Sequence, residues 1–428
     1  MTDRCQPLPE PDSYQPGQII AALLHPAVIV GALGYFVDIY DLVLFGVVRV
    51  SSLKDLGLSG DRLAIDGAWL INWQMGGMLL GGLLWGLLGD RFGRLKVLFG
   101  SIVLYSLANI ANAFVHDLTT YTVCRFIAGI GLAGELGGSI TLVAEILPRG
   151  LRGYGTMMVS AVGVLGAVVA GLAAIYYPVW RHLYIAGGFL GFLLLFLRVL
   201  VRESGMYQNM AGIHPPTFAS QLGLLAAPHR LGRYLCCILI GLPCWYVIGL
   251  LVVFSPEFGK AMDATAPIVA GTALAWTYGG ICVGDLASNL LCQVAKARKS
   301  ILLGFIIAAL VLSATFLLLR QPTPFLLYAV VFILGISVGY WSIFVTIAAE
   351  HFGTNMRATV ATTVPNFTRG AVIPITSLFL LFKGNPQVPW LSSISSALLV
   401  GGICFALAFI GIFGLRETFQ DDLDYLEK

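Results

Sequence analysis

The chain has 428 residues, 58% of them hydrophobic and only 11% charged, with a formal net charge of +3. Soluble domains carry about 25% charged residues, so this composition excludes a soluble globular protein and places the chain in a membrane. No cluster of basic residues lies over a solvated surface, which excludes a nucleic-acid binder. The eight cysteines show no C-x-x-C spacing, and seven lie in or beside apolar runs, where they read as small core residues rather than metal ligands.

The first 18 residues are polar and proline-rich and read as a cytoplasmic tail rather than a signal peptide. Twelve apolar segments follow, each about 20 residues or longer, the length that a spanning helix needs. They cover 22–50, 66–88, 96–115, 118–147, 153–177 and 181–200, then 232–254, 265–292, 299–319, 323–351, 356–383 and 390–415. The fold class expected is an all-α membrane protein of twelve transmembrane helices in two pseudo-symmetric six-helix bundles. Its parts are an N-terminal tail (1–21), a first bundle (22–201), a cytoplasmic linker (202–231), a second bundle (232–415) and a C-terminal tail (416–428). With the N-terminus inside, sixteen Lys and Arg fall on the cytoplasmic side and seven on the other, which sets both termini in the cytoplasm. On this count only Arg125 and Arg369 remain within the membrane.

The halves repeat. Glu145-x6-Arg152 after the fourth segment recurs as Glu350-x6-Arg357 after the tenth, offset by 205 residues. The turn ending Arg94-Leu-Lys96 recurs as Arg298-Lys299, and Val-Arg202-Glu203-Ser204 as Leu-Arg416-Glu417-Thr418. Two repeats related by an axis along the membrane normal put a binding site near the midplane, between them.

In the first segment, Asp38 and Asp41 interrupt a run that otherwise suits a bilayer. Each charge at the centre of a membrane helix costs roughly 2.5–3.5 kcal/mol on insertion scales, so the pair calls for a functional reason. Spaced i, i+3, they share a helix face, with Tyr40 between them. By depth along their segments, Asp38 and Glu135 fall near the midplane, Asp41 about one turn further out, Arg125 in the outer half, and Arg369 near the middle of the eleventh. Three carboxylates can hardly all ionise in one low-dielectric pocket, so at least one is expected to carry a proton at neutral pH. Arg125 lies about 15 Å along its helix from Glu135, too far to pair with it, and is matched to Asp41.

This leaves Arg369 free to grip a carboxylate or phosphate bidentately, with Asn366 one turn away as a further donor. Asp285 either ends a gate or caps a helix. Among the aromatic residues, Trp180 and Trp390 suit interfacial belts, while Trp245, Tyr246 and Tyr340 are expected to line a cavity. Trp276 and Tyr278 lie in the eighth segment, and Trp341 follows Tyr340 in the tenth. The competing reading of all these charges is that each acid has an arginine partner and only holds helices together.

Gly86-x-x-Gly89-Asp90-Arg91-Phe92-Gly93-Arg94 resembles the signature loop of the major facilitator superfamily, and the acid–arginine pairs after segments 4 and 10 match the same family. The resemblance implies a two-bundle transporter and a cytoplasmic latch, in which Asp90, Arg91 and Arg94 hold one of two states with Glu145, Arg152, Glu350 and Arg357. The position matching Asp90 in the second half is Val294, so the latch is expected to be lopsided. Asp38-x-Tyr40-Asp41-Leu42 and Arg125-Phe-x-x-Gly129-x-Gly131-x-x-Gly134-Glu135 resemble phosphate–proton and metabolite–proton symporters, the latter more closely at Gly134-Glu135-x-Gly137-Gly138.

These features imply a proton-coupled symporter of a small anionic metabolite in the inner membrane of a bacterium. It would be monomeric, with no metal or cofactor and the proton gradient as its driving force. Asp38, Asp41 and Glu135 would carry the proton, and Arg369, Arg125, Asn366, Tyr40, Trp245, Tyr246 and Tyr340 would surround the substrate. The alternative is a proton-driven exporter of a drug or metallophore. Gly163-Val-Leu-Gly166-Ala lacks the Gly-Pro usual in drug antiporters of that family, which counts against it. A non-transporting scaffold would have no need for midplane carboxylates.

Overall fold

Without water, a backbone segment must satisfy its own N–H and C=O groups, and within one segment only a helix does so. The computed structural model describes residues 16–92, 94–148, 151–177, 179–198, 227–383 and 392–419, and every regular element in them is helical. The first half runs α1 (Pro16–Leu23), α2 (Pro26–Asp55), α3 (Arg62–Phe92), α4 (Arg94–Asn112), α5 (Leu118–Leu132), α6 (Glu135–Ile146), α7 (Arg152–Tyr176) and α8 (Trp180–Arg198). The second half begins with α9 (Pro228–Leu239), α10 (Leu242–Tyr246), a π-helical stretch Val247–Val252 and α11 (Ser255–Ala261). It continues with α12 (Ala270–Ala295), α13 (Lys299–Leu317), α14 (Pro324–Ser337), α15 (Trp341–Glu350), α16 (Thr354–Gly370), α17 (Val372–Lys383) and α18 (Ser393–Gly414).

Among the described residues, eight stretches are long and apolar enough to cross a membrane: Pro26–Asp55, Tyr154–Tyr176, Trp180–Arg198, Pro228–Val252, Lys299–Leu317, Pro324–Glu350, Thr359–Lys383 and Ser393–Gly414. The other predicted segments fall on α3, on α4, on the α5–α6 pair and on α12. Large apolar side chains such as Phe189, Phe196, Leu290, Phe325 and Phe413 stand exposed, as an integral multi-pass membrane protein requires.

Several segments expected as single helices are broken. Proline explains two of the breaks, because its ring collides with the carbonyl four residues earlier. Pro243 matches the end of α9 at Leu239, and Pro374 the end of α16 at Gly370. The breaks between α5 and α6 and between α14 and α15 contain Gly134 and Gly339 and no proline. They fall at matching places in the two repeats.

Glycines set the closest crossings. Helix α3 packs along α5, and α12 along α14. A Cβ at Gly77, Gly81 or Gly129 would collide with the carbonyl of Phe126, Ile130 or Gln74, and one at Gly280, Gly284 or Gly335 with that of Phe332, Ile336 or Thr277. The same three contacts therefore recur in each half, backbone against backbone. The halves meet along α7 against α12 and α3 against α16.

Gly129→Leu or Gly335→Leu should each destabilise the protein by about 1–3 kcal/mol, read as a fall in melting temperature in detergent. Gly304→Leu, at a site with nothing within 4 Å of a Cβ, should leave the melting temperature unchanged.

Candidate functional site

A charge buried away from water is stable only when it is paired and hydrogen-bonded, so the buried charges and their partners locate the chemistry. Asp38, Asp41, Arg49, Arg125, Glu135, Arg198, Asp285 and Arg369 are all buried. Arg49 and Arg198, assigned by the sequence count to opposite membrane faces, thus lie inside the protein with Arg125 and Arg369.

Two of these groups, Asp38 on α2 and Arg369 on α16, come from different halves and act on each other; Arg369 has the largest electrostatic influence on Asp38, ahead of Glu135, Asp41 and Arg198. Neither Asp38 oxygen accepts a hydrogen bond from the described residues, and the Nε and Nη2 of Arg369 donate none. Arg369 Nη1 donates to Asn366 Oδ1 at 3.3 Å, and the guanidinium lies 5.5 Å from the centre of the Trp341 ring. Trp341 packs edge-on against Trp245 at 6.2 Å, and the indole N–H of each has no hydrogen-bond partner among the described residues. Trp245 lines a small cavity of about 30 Å³ between the halves, with Leu42, Phe45, Gln74, Tyr278 and Val372. The small, mostly apolar cavity is thus joined to Arg369 through the Trp245–Trp341 pair.

The other two carboxylates belong to the interior of the first half. Asp41 faces α8, where a Cβ at Gly187 would fall on its Oδ1. Arg125 is the cation acting on it, and Asn109 lies beside it. Arg125 donates to Asn109 Oδ1 at 2.9 Å and to the Tyr184 hydroxyl at 3.4 Å. Glu135 is the first residue of α6, where a negative charge meets a helix N-terminus favourably. It is ion-paired with Arg198 from the end of α8 and accepts from Ser139 Oγ at 2.9 Å. Gly34 of α2 makes the room, because a Cβ there would fall on both partners.

Of the expected substrate residues, Arg369, Asn366 and Trp245 are brought together with Asp38. Asn366 Nδ2 donates across the halves to the Ala133 carbonyl at 2.8 Å. The hydroxyls of Tyr40, Tyr246 and Tyr340 reach instead into their own halves, to the carbonyls of Leu183 at 3.2 Å, Ala397 at 2.8 Å and Ile240 at 3.1 Å. Tyr35, whose hydroxyl lies beside Arg369, and Gln74, which lines the cavity, go unremarked in the sequence, where Arg198 is only one of the cations counted at the cytoplasmic side. A lone acid at a glycine-rich break was the available signal that Glu135 needed a distant partner.

The side chains of Asp90, Arg91, Arg94, Glu145 and Arg152 lie outside the described residues. At the matching end of the second half, Glu350 is ion-paired with Arg298 and accepts from Thr418 Oγ1 at 2.8 Å. Arg357 donates to the carbonyls of Ala349 and Phe352. Partial burial would raise Glu417, but N–H donors of Arg298, Lys299, Phe419 and Thr418 bring its carboxyl below the usual range. At the opposite end Arg49 crosses between the halves. It grips Glu257 at 2.8 and 2.9 Å, donates to the Leu63 and Val253 carbonyls and lies 4.6 Å from the Phe254 ring centre.

Arg198→Ala should destabilise by roughly 3–5 kcal/mol, since it strands the Glu135 charge, while the double variant Glu135→Gln with Arg198→Met should recover most of that; thermal unfolding reads both. Charge-assisted bonds are worth about 1.5–3 kcal/mol, so Arg49→Ala should raise maleimide labelling of a cysteine placed at Ile71 about ten-fold or more.

The Major Facilitator Superfamily model matches residues 31–375. The chain is 25% identical over 407 residues to a putative niacin/nicotinamide transporter of Bacillus subtilis, covering 92% of this chain and 96% of that one. It is 33% identical over 160 residues to a niacin transporter of Acinetobacter baylyi, covering 36% of this chain and 35% of that one. A crystal structure of a D-xylose–proton symporter superposes with a TM-score of 0.68 at 17% identity, covering 92% of this chain and 98% of that one. The first relatives are thus matched over less than half their length, and the Bacillus protein over nearly all of it. With four-fifths of the chain matched, and relatives that are transporters rather than enzymes, the chain belongs to the Major Facilitator Superfamily.

Proposed function

We propose that this protein imports a small aromatic carboxylate together with protons, by alternating access. The observation that carries the reading is the buried Arg369 guanidinium with donors unfilled among the described residues, acting on Asp38 and lying against Trp341, which packs on the cavity-lining Trp245. A planar guanidinium matches a carboxylate bidentately, and Trp245, Trp341 and Tyr278 offer flat apolar contact for a ring. Niacin, named for two relatives, is an aromatic monocarboxylate of this kind.

Coupling follows from electrostatics in a low-dielectric space. An ionised Asp38 competes for Arg369 and repels an incoming carboxylate. A protonated Asp38 leaves the guanidinium to the substrate, so proton and anion enter as a neutral pair. Asp41 and Glu135 would relay or hold the proton beside Arg125 and Arg198. The proton gradient is the driving force, with no cofactor. The topology belonging to this reading is twelve spans in two bundles, 22–201 and 232–415, with both termini and the 202–231 linker in the cytoplasm of a bacterium and the protein in its inner membrane. The latch residues Asp90, Arg91, Arg94, Glu145, Arg152, Glu350 and Arg357 would then close the cytoplasmic side, and Arg49 with Glu257 the outer side.

Proteoliposomes with an alkaline interior should accumulate labelled nicotinate or benzoate, and Asp38→Asn should abolish the accumulation. Arg369→Lys should weaken carboxylate binding about ten-fold, the scale of one charge-assisted bond, while Lys keeps the charge but loses the fork. Accumulation by Asp38→Asn with its pH dependence intact would refute the coupling. Gradient-driven efflux of the same probes would favour the exporter.

A further inference from the structure

We infer that Asp285 is a positioning residue: it holds the aromatic wall beside Arg369 and makes the shape of that wall depend on how the two halves pack. The inference rests on reading the Trp341–Arg369 neighbourhood as the substrate site.

A helix that restarts inside a membrane exposes backbone N–H groups that need acceptors. Helix α15 restarts at Trp341, three residues after α14 stops, and its N-cap, Tyr340, offers no side-chain hydrogen bond to it. The acceptor comes from another helix. Asp285 of α12 is fully buried, and its Oδ1 takes both the backbone N–H and the hydroxyl of Ser342 at 2.9 Å. Its neighbours on α12 complete the clamp. Ser288 Oγ donates to the Gly339 carbonyl at 2.9 Å, and Asn289 Nδ2 donates to Ser342 Oγ. Gly339 in the break and Ser342 in the first turn after it are therefore held from one face of α12. A carboxylate at a helix N-terminus is also the favourable charge.

What the clamp fixes is Trp341, the residue before Ser342. Its ring lies 5.5 Å from the Arg369 guanidinium, 6.2 Å from Trp245 and 4.9 Å from Phe344. Loss of the cap would free the first turn of α15 and with it this ring.

The second oxygen of Asp285 gives the coupling. Oδ2 accepts from Ser160 Oγ of α7 at 2.6 Å, a bond from the first half into the second, along the α7–α12 contact. When the halves part there, Asp285 loses one of its three donors, and the remaining carboxylate reorganises at the start of α15. The site beside Arg369 thus differs between the two states, which is what unequal substrate affinity on the two sides of a membrane requires.

The test uses the full-length protein labelled with 5-fluorotryptophan, its resonances assigned by single Trp→Phe variants. Asp285→Ala should move or broaden the Trp341 and Trp245 signals and leave that of Trp69, which is exposed, in place. Asp285→Asn, whose carbonyl still accepts from the Ser342 N–H, should restore them. Ser160→Ala should split the Trp341 signal while benzoate transport slows more than its KM changes. With benzoate as ligand, Asp285→Ala should lose affinity about five-fold, the scale of one helix cap, and Asp285→Asn should recover it.

An unmoved Trp341 signal in Asp285→Ala, or equal damage by Ala and Asn, overturns the positioning role. If Asp285→Ala does not fold, Ser160→Ala decides, since it spares the cap: an unchanged Trp341 signal overturns the tie between the halves. A wild-type protein that binds neither benzoate nor nicotinate would count against the substrate reading alone, and the fluorine signals would still decide the role of Asp285.

Discussion

Asp38 of the first half and Arg369 of the second are buried and act on each other, and among the described residues hydrogen-bonding capacity on each is unfilled. Desolvating a charge costs several kcal/mol even after relaxation, so most buried charges here have direct partners. Glu135 has Arg198 and Ser139; Arg49 has Glu257 and two carbonyls; Asp285 has two serines. Those sets hold helices in place. Asp38 and Asp41 differ from these in that neither oxygen of either accepts a hydrogen bond among the described residues, and of the two only Asp38 has its strongest charge partner, Arg369, in the other half.

The frame around that seam is rigid for a simple reason. Where α3 crosses α5, and α12 crosses α14, glycines bring backbone onto backbone, leaving no side chain to rearrange. The seam is of two kinds. Gly82 and Gly137 press close on Asn366 and Thr362 of α16, while polar bonds such as Thr376 to Asn72 and Ser160 to Asp285 are few and easily exchanged.

Much of this was legible in the chain itself. Apolar run length located the helices, and the repeated Glu-x6-Arg spacing revealed the duplication. The breaks near Pro243 and Pro374 were not read from the sequence, because a proline does not always stop a helix: Pro365 lies inside α16. Which face of each helix looks inward was not legible, because a helix apolar on all sides carries no stripe to show it. That is why Tyr40, Tyr246 and Tyr340 read as cavity residues although their hydroxyls serve neighbouring helices. Nor does a sequence say which buried acid meets which arginine. Arg198, at the last turn of α8, looked like a surface cation until α6 brought Glu135 to it.

The matching breaks in α5–α6 and α14–α15 carry one further consequence. At the same repeat position the first half has Glu135 and the second has Tyr340. The duplicated scaffold has thus diverged in its chemistry. Asp38, Asp41 and Glu135 are buried in the first copy, while Arg369, Trp245 and Trp341 are buried in the second. Because these groups lie on separate copies, substitutions around the second set need not disturb the buried carboxylates of the first.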